Sequence, residues 1–132
     1  MKRALVTGGH GFVASHLARA LVERGDAVTV LDLASPPLSG LALQGIAAEV
    51  DLVQADLRDA RSVDATIGAG EFDTVFHLAA QTLVGPAMED PGATYEANVR
   101  GTWTLLEACR RAEVPAVVVA SSDKAYGPSE EL

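Results

Sequence analysis

Short runs of β-branched and aliphatic residues alternate along the chain with longer stretches in which apolar side chains recur every three or four positions. The first pattern predicts strands and the second amphipathic helices, and their alternation is that of a parallel sheet with helices on its faces. The strands expected are Arg3 to Thr7, Ala27 to Leu31, Val50 to Gln54, Thr74 to Leu78 and Ala116 to Ala120. Several carry nearly continuous apolar runs, and Ala116 to Ala120 is apolar throughout, as expected of strands covered on both faces. Joined by right-handed crossovers, they give a doubly wound α/β sheet of order 3-2-1-4-5. The first and fourth strands are then neighbours at the switch point, and a ligand is expected there, beyond the carboxyl ends of the strands.

Between the first two strands Val13, Leu17, Ala20 and Leu21 fall on one helical face, and Gly25 follows where a glycine stop belongs. A weaker helix is expected from about Ala60 to Ile67, ending at a Gly68-Ala69-Gly70 turn. The fourth connection is longer, with Pro91 near its start and a stripe of Ala97, Gly101, Leu105, Ala108 and Ala112. A glycine inside that helix costs about 1 kcal/mol relative to alanine, so Gly101 points to close packing. Ala34 to Gly45, with its paired prolines, carries at most a short helix. No repeat or linker divides residues 1–132, which read as one domain.

Composition narrows the function. A net charge of −8 offers no basic footprint for nucleic acid or an anionic membrane, so small ligands are expected. The single cysteine excludes a disulfide framework, and Cys109 reads as a small core residue in a reduced, cytoplasmic compartment. Glycines at 8, 9 and 11 interrupt the apolar N-terminal run at once, unlike a secretory signal. Val114 to Ala120 is too short to span a membrane, so a soluble chain is expected.

The chemistry-bearing motifs sit at strand ends. Thr7-Gly8-Gly9-His10-Gly11-Phe12-Val13-Ala14 joins a strand to a helix through a glycine-rich turn. That order brings main-chain N–H groups and the positive end of a helix dipole to one point, which suits a pyrophosphate. Gly8 allows the tight turn, Gly11 the approach to phosphate, and Ala14 stands at the position of close helix-to-strand packing. Asp32, 24 residues after Gly8, can accept hydrogen bonds from ribose hydroxyls and would repel a 2′-phosphate, favouring NAD over NADP; the bland reading is a turn or helix cap. Asp56 is either the N-cap of the next helix, with Asp59 in its first turn, or lies with Leu57 beside an adenine. His77 reads as a packed strand residue more readily than as a catalyst. Neither His10 nor His16 has the neighbours of a metal site, and no metal is assigned. Ser122, Asp123 and Lys124 follow the fifth strand as a hydroxyl, a carboxyl and an amine, suited either to one substrate or to loop capping.

Taken in order, TGGHGFVASHL, Asp32, DLRD, HLAAQ, NVRGTWTLLEA and SSDKAYG resemble the extended short-chain dehydrogenase/reductase superfamily, the NAD-dependent epimerases and dehydratases. SSDKAYG looks most like the nucleotide-sugar 4,6-dehydratases of the CDP-glucose type. The resemblance implies a Rossmann-type fold in which Gly8, Gly11, Phe12 and Val13 meet the NAD pyrophosphate, Asp32 the adenine ribose, and Asp56 and Leu57 the adenine. Ala79, Ala80 and Gln81 would lie along the nicotinamide side, with Asn98 bracing the site. Ser122 would bond the sugar 4-hydroxyl, Asp123 would act as general acid at C6, and Lys124 as base at C5. The implied reaction oxidises sugar C4, eliminates water across C5 and C6 and returns the hydride to C6, acting on a nucleotide-sugar substrate. Lys124 as a base would need a lowered pKa. The oligomeric state is left open, with a homodimer as one outcome, since relatives often pair through the helix around Tyr95 to Arg111.

One departure matters. The family pairs a Tyr with a Lys four residues later, whereas Tyr95 and Tyr126 are followed at that spacing by Val99 and Glu130. Ser122 is ten residues from the last residue, Leu132. The chain is therefore expected to be an N-terminal portion of the family fold without its sugar-binding region, a truncated product or fragment inactive on its own. The alternatives are a nucleotide-sugar epimerase or reductase of the same superfamily, and a non-catalytic NAD-binding or redox-sensing module.

Overall fold

The computed structural model describes residues 1–122, 125 and 127. Its five strands are β1 (Arg3–Thr7), β2 (Ala27–Asp32), β3 (Asp51–Gln54), β4 (Thr74–His77) and β5 (Ala116–Val119). All pair in parallel in the order β3-β2-β1-β4-β5, so the expected order holds, with individual strand ends moved by one residue. At the switch point β1 lies between β2 and β4, with Thr7 opposite Leu31 on one side and His77 on the other.

The helices are α1 (Phe12–Glu23), α2 (Gly40–Leu43), α3 (Ala60–Gly70), α4 (Val84–Glu89) and α5 (Pro91–Tyr95). A π-helical turn, Glu96–Arg100, joins α5 to α6 (Gly101–Arg111) without a break. α1 packs beside α2 on one face of the sheet and α3 beside α6 on the other. Alternate residues of β1 serve the two cores: Ala4 and Val6 meet the α1 layer, and Leu5 meets the α3–α6 layer. Leu5, Leu31, Leu41, Ile67 and Leu105 are fully buried, each contributing roughly 1.5–3 kcal/mol of transfer free energy. Among the described residues no helix is long and apolar enough to cross a membrane.

Three local expectations need correction. The buried face of α1 is Ala14, Ser15, Ala18 and Leu21, with Leu17 at its edge, while Val13 and Ala20 are exposed. Small residues at 14 and 18 let the helix lie close to the sheet, which turns Val13 outward. α3 runs through the three residues expected to form its terminal turn. It stops at Glu71, which adopts a left-handed φ of 45°, and a Cβ on Gly70 would collide with the Phe72 ring that fills the core there. Its N-cap is Asp59, which accepts from the Arg61 N–H, so the capping role weighed for Asp56 belongs to Asp59.

Gly25 ends the α1 region with φ +85°, as the sequence predicts. Gly101 packs closely, but its neighbour is the loop residue Leu57, whose Cβ would stand 3.2 Å from an added Cβ. On the long stripe Gly101, Leu105 and Ala108 are buried, whereas Ala112 caps the helix and is exposed.

Candidate functional site

Thr7 ends β1 and the chain turns sharply. The Gly8 N–H donates to the Leu31 carbonyl at 2.8 Å, and the Gly11 N–H to the Gly8 carbonyl at 2.9 Å. Gly8 has φ +71°, and a Cβ there would lie 2.8 Å from the Ala79 Cα. Only glycine satisfies both conditions. Gly11 is the N-cap of α1 and among the described residues no side chain caps that helix end, so the first-turn N–H groups and the dipole face outward at the glycine turn.

This turn forms the middle of a crevice of about 1040 Å³. Residues following every strand line it: Gly8 after β1, Leu33 after β2, Ala55 after β3, Ala79 after β4 and Ala120 after β5. Its wall is mainly apolar, with few polar groups placed among apolar ones, as in sites that bind organic cofactors. Gly8, Gly11, Phe12, Val13 and Asp32 all border it. Phe12 and Val13 are 80% and 64% exposed, an unfavourable display of apolar surface unless a ligand covers them.

Asp32 is anchored by two main-chain donors, with Oδ2 accepting from His10 N–H at 3.1 Å and Oδ1 from Leu33 N–H at 2.8 Å. Each carboxylate oxygen keeps further acceptor capacity toward the crevice. Asp56 and Leu57 flank the same end. The Asp56 carboxylate is gripped by the Arg58 guanidinium (3.0 Å from Nε, 2.6 Å from Nη2) and main-chain N–H, which holds its carboxyl below the usual range. Leu57 divides its surface between crevice and core, being 8% exposed.

Beyond the glycine turn lie Ala79, Ala80 and Gln81. Asn98 does not line the crevice; it bonds Gln81 twice, taking the Gln81 N–H on Oδ1 at 2.7 Å and donating from Nδ2 to the Gln81 carbonyl at 3.0 Å. It sits in the π-helical turn, where the Gly101 N–H reaches back five residues to the Glu96 carbonyl. Single π turns of this kind recur at functional sites. Ser122 is exposed two residues beyond Ala120, its carbonyl accepting from Ala125 N–H at 3.1 Å. Asp123 and Lys124 lie outside the described residues.

Sequence reasoning missed Arg58, which borders the crevice and pairs with Asp56, although the Asp-x-Arg spacing of a local turn carries the signal. It also missed Thr94 of α5, which lines the crevice with nothing in the sequence to mark it.

The NAD dependent epimerase/dehydratase family matches residues 4–132. The chain belongs to this family. Among curated family relatives it is 38% identical over 128 residues to a UDP-glucose 4-epimerase of Halalkalibacterium halodurans, covering 97% of this chain and 37% of that one. It is 42% identical over 130 residues to a dTDP-glucose 4,6-dehydratase of Mycolicibacterium smegmatis, covering 97% and 38%. Among solved structures, the UDP-glucose-4-epimerase of Stenotrophomonas maltophila with bound NAD and formylated UDP-arabinopyranose superposes with a TM-score of 0.86 at 31% identity, covering 99% of this chain and 40% of that one. The chain thus spans about two fifths of the length of these family members.

Proposed function

We propose that residues 1–132 are the NAD-binding portion of a nucleotide-sugar-modifying enzyme that oxidises the sugar at C4. The observation that carries this is the convergence of all five strand ends on one crevice, with the anchored Asp32 carboxylate at one end and the Ala79–Gln81 segment beyond the glycine turn. The residues present fit the dinucleotide: Gly8 lets the glycine turn sit tight against Ala79 at the crevice, the N-terminus of α1 points there, and Asp32 offers acceptors rather than a cation. Bound NAD supplies a hydride acceptor and donor at the sugar carbon. The chain's own part is to hold the pyrophosphate on main-chain N–H groups, accept the ribose hydroxyls at Asp32 and seat the adenine against Asp56 and Leu57. Ser122 would bond the sugar 4-hydroxyl.

For the step after oxidation, the Ser122-Asp123-Lys124 order supports 4,6-dehydration of the CDP-glucose type, with Asp123 protonating the departing C6 hydroxyl and Lys124 removing the C5 proton. The second reading is 4-epimerisation, supported by the 4-epimerases among the relatives. Calorimetry of the chain with NAD tests the first claim, and absence of binding would refute it. In a full-length parent, product NMR separates a 4-keto-6-deoxy sugar from a C4 epimer.

We propose further that this unit pairs with a second copy. Tyr95, Val99 and Trp103 recur every four residues along one long helix and are 69%, 55% and 66% exposed. Glu96 and Arg100 beside them form a 2.9 Å ion pair, so the stripe is self-complementary in charge under a two-fold axis.

A further inference from the structure

Beside the crevice, His77 joins the buried Thr7 to the half-buried Thr102 in a chain of polar groups whose donors and acceptors are fixed atom by atom. The Thr102 Oγ1 is 2.6 Å from the Asn98 carbonyl, which can only accept, so the single Thr102 hydroxyl proton is spent there. Thr102 Oγ1 must therefore accept at its other contact, 2.7 Å from His77 Nε2, and that nitrogen carries the proton. On the far side of the ring, Thr7 Oγ1 stands 2.8 Å from His77 Nδ1. The same Thr7 oxygen accepts the N–H groups of Leu78 and Ala79, each at 3.2 Å. Both its lone pairs are then taken, and its own proton must go to Nδ1. Only the neutral ring protonated at Nε2 satisfies every group, and among the described residues no charged side chain bonds the imidazole.

The consequence is spatial. Through Thr7 the ring ties β1 to the main chain at Leu78 and Ala79, and through Thr102 to the helix carrying Asn98, which in turn holds Gln81 from both sides. His77 itself is 3% exposed and does not touch the crevice. We infer that His77, locked as the Nε2–H tautomer between Thr7 and Thr102, is a positioning residue that clamps the Leu78–Gln81 segment for the cofactor, an inference that rests on the NAD reading above. Gly8 is in van der Waals proximity to Ala79, so a shift of this segment would alter the opening beside the glycine turn.

The test uses the 15N-labelled 132-residue chain with Thr102→Val, which removes the acceptor for Nε2–H, and Thr102→Ser, which keeps it. Ring-nitrogen NMR at neutral pH is expected to show a bare Nδ1 and a protonated Nε2. Thr102→Val is expected to lose amide-exchange protection at Gln81 and to bind NAD about tenfold more weakly, the size of one or two lost buried hydrogen bonds. Thr102→Ser is expected to restore both. A proton on Nδ1, or wild-type NAD affinity in a folded Thr102→Val chain, would overturn the inference; a lowered melting temperature with unchanged affinity would reduce the network to a purely structural one. If the wild-type chain binds no NAD, the cofactor reading fails and the positioning role with it, while the tautomer and Gln81 exchange still decide whether the segment is clamped.

Discussion

Asp32 Oδ2 accepts the main-chain N–H of His10 at 3.1 Å, joining the end of β2 to the middle of the glycine-rich turn. One carboxylate thereby shapes the turn proposed to hold the pyrophosphate and presents acceptors at the proposed ribose position. Asp32→Ala removes both, and Asp32→Arg adds a cation. Either substitution should weaken NAD binding by about ten- to a hundredfold, the range for losing hydrogen bonds to a charged group. Calorimetry giving the wild-type affinity would contradict the assignment.

Gly8 and Gly25 share a left-handed backbone but not their surroundings. A Cβ on Gly25, at φ +85°, meets nothing within 4 Å, whereas one on Gly8 strikes the Ala79 main chain. Gly25→Ala should cost about 1 kcal/mol, the conformational penalty alone. Gly8→Ala should cost roughly 3 kcal/mol or more through added overpacking, and should impair NAD binding as well. Equal urea midpoints for the two variants would show that the contact at Ala79 yields without cost.

Burial pushes the His77 imidazole below its ordinary value of 6.5. The unfolded chain therefore binds more protons than the folded one as pH falls through 6.5, and stability, complete above that value, declines on the acid side. Asp56 and Asp59 are held below their ordinary 3.8 by Arg58 and by the Ser62 hydroxyl respectively, so their stabilising contributions persist until more acid pH. Urea unfolding between pH 7.5 and pH 5.5 (about one unit either side of the histidine value) should show a decline that His77→Gln flattens. An equal slope in the variant would place the titrating group elsewhere.

Cys109 is 2% exposed, and burial raises its thiol to about 11. Thiolate is the reactive form, so the native chain should resist alkylation at neutral pH and react only after denaturant opens the core. Rapid labelling of the folded chain would refute this.

Trp103→Glu replaces the large apolar ring at one end of the exposed stripe with a carboxylate. If two copies pair there, sedimentation should show a dimer for the wild type and a monomer for the variant, with NAD binding retained. A monomeric wild type would end that proposal.

The architecture was legible because short β-branched runs alternate with amphipathic stretches, and parallel pairing leaves little choice of order once crossovers are right-handed, although the edge strands β3 and β5 are largely exposed and not covered on both faces as expected. The glycine turn and Asp32 were legible for a related reason: Gly8 occupies a backbone conformation and a space that no other residue tolerates, and Asp32 ends a strand beside it. What sequence could not decide arises from partners distant along the chain. The face of α1 depended on how closely Ala14 and Ala18 approach the sheet, and the need for Gly101 came from Leu57. Thr7, His77 and Thr102 stand 70 and then 25 positions apart in the sequence, where nothing marks them as partners. Local pattern determines which segments become strands and helices, but hydrogen-bond direction and side-chain clearance exist only once those segments meet. The crevice was therefore determined by the sequence, and the means of holding its far wall by the fold.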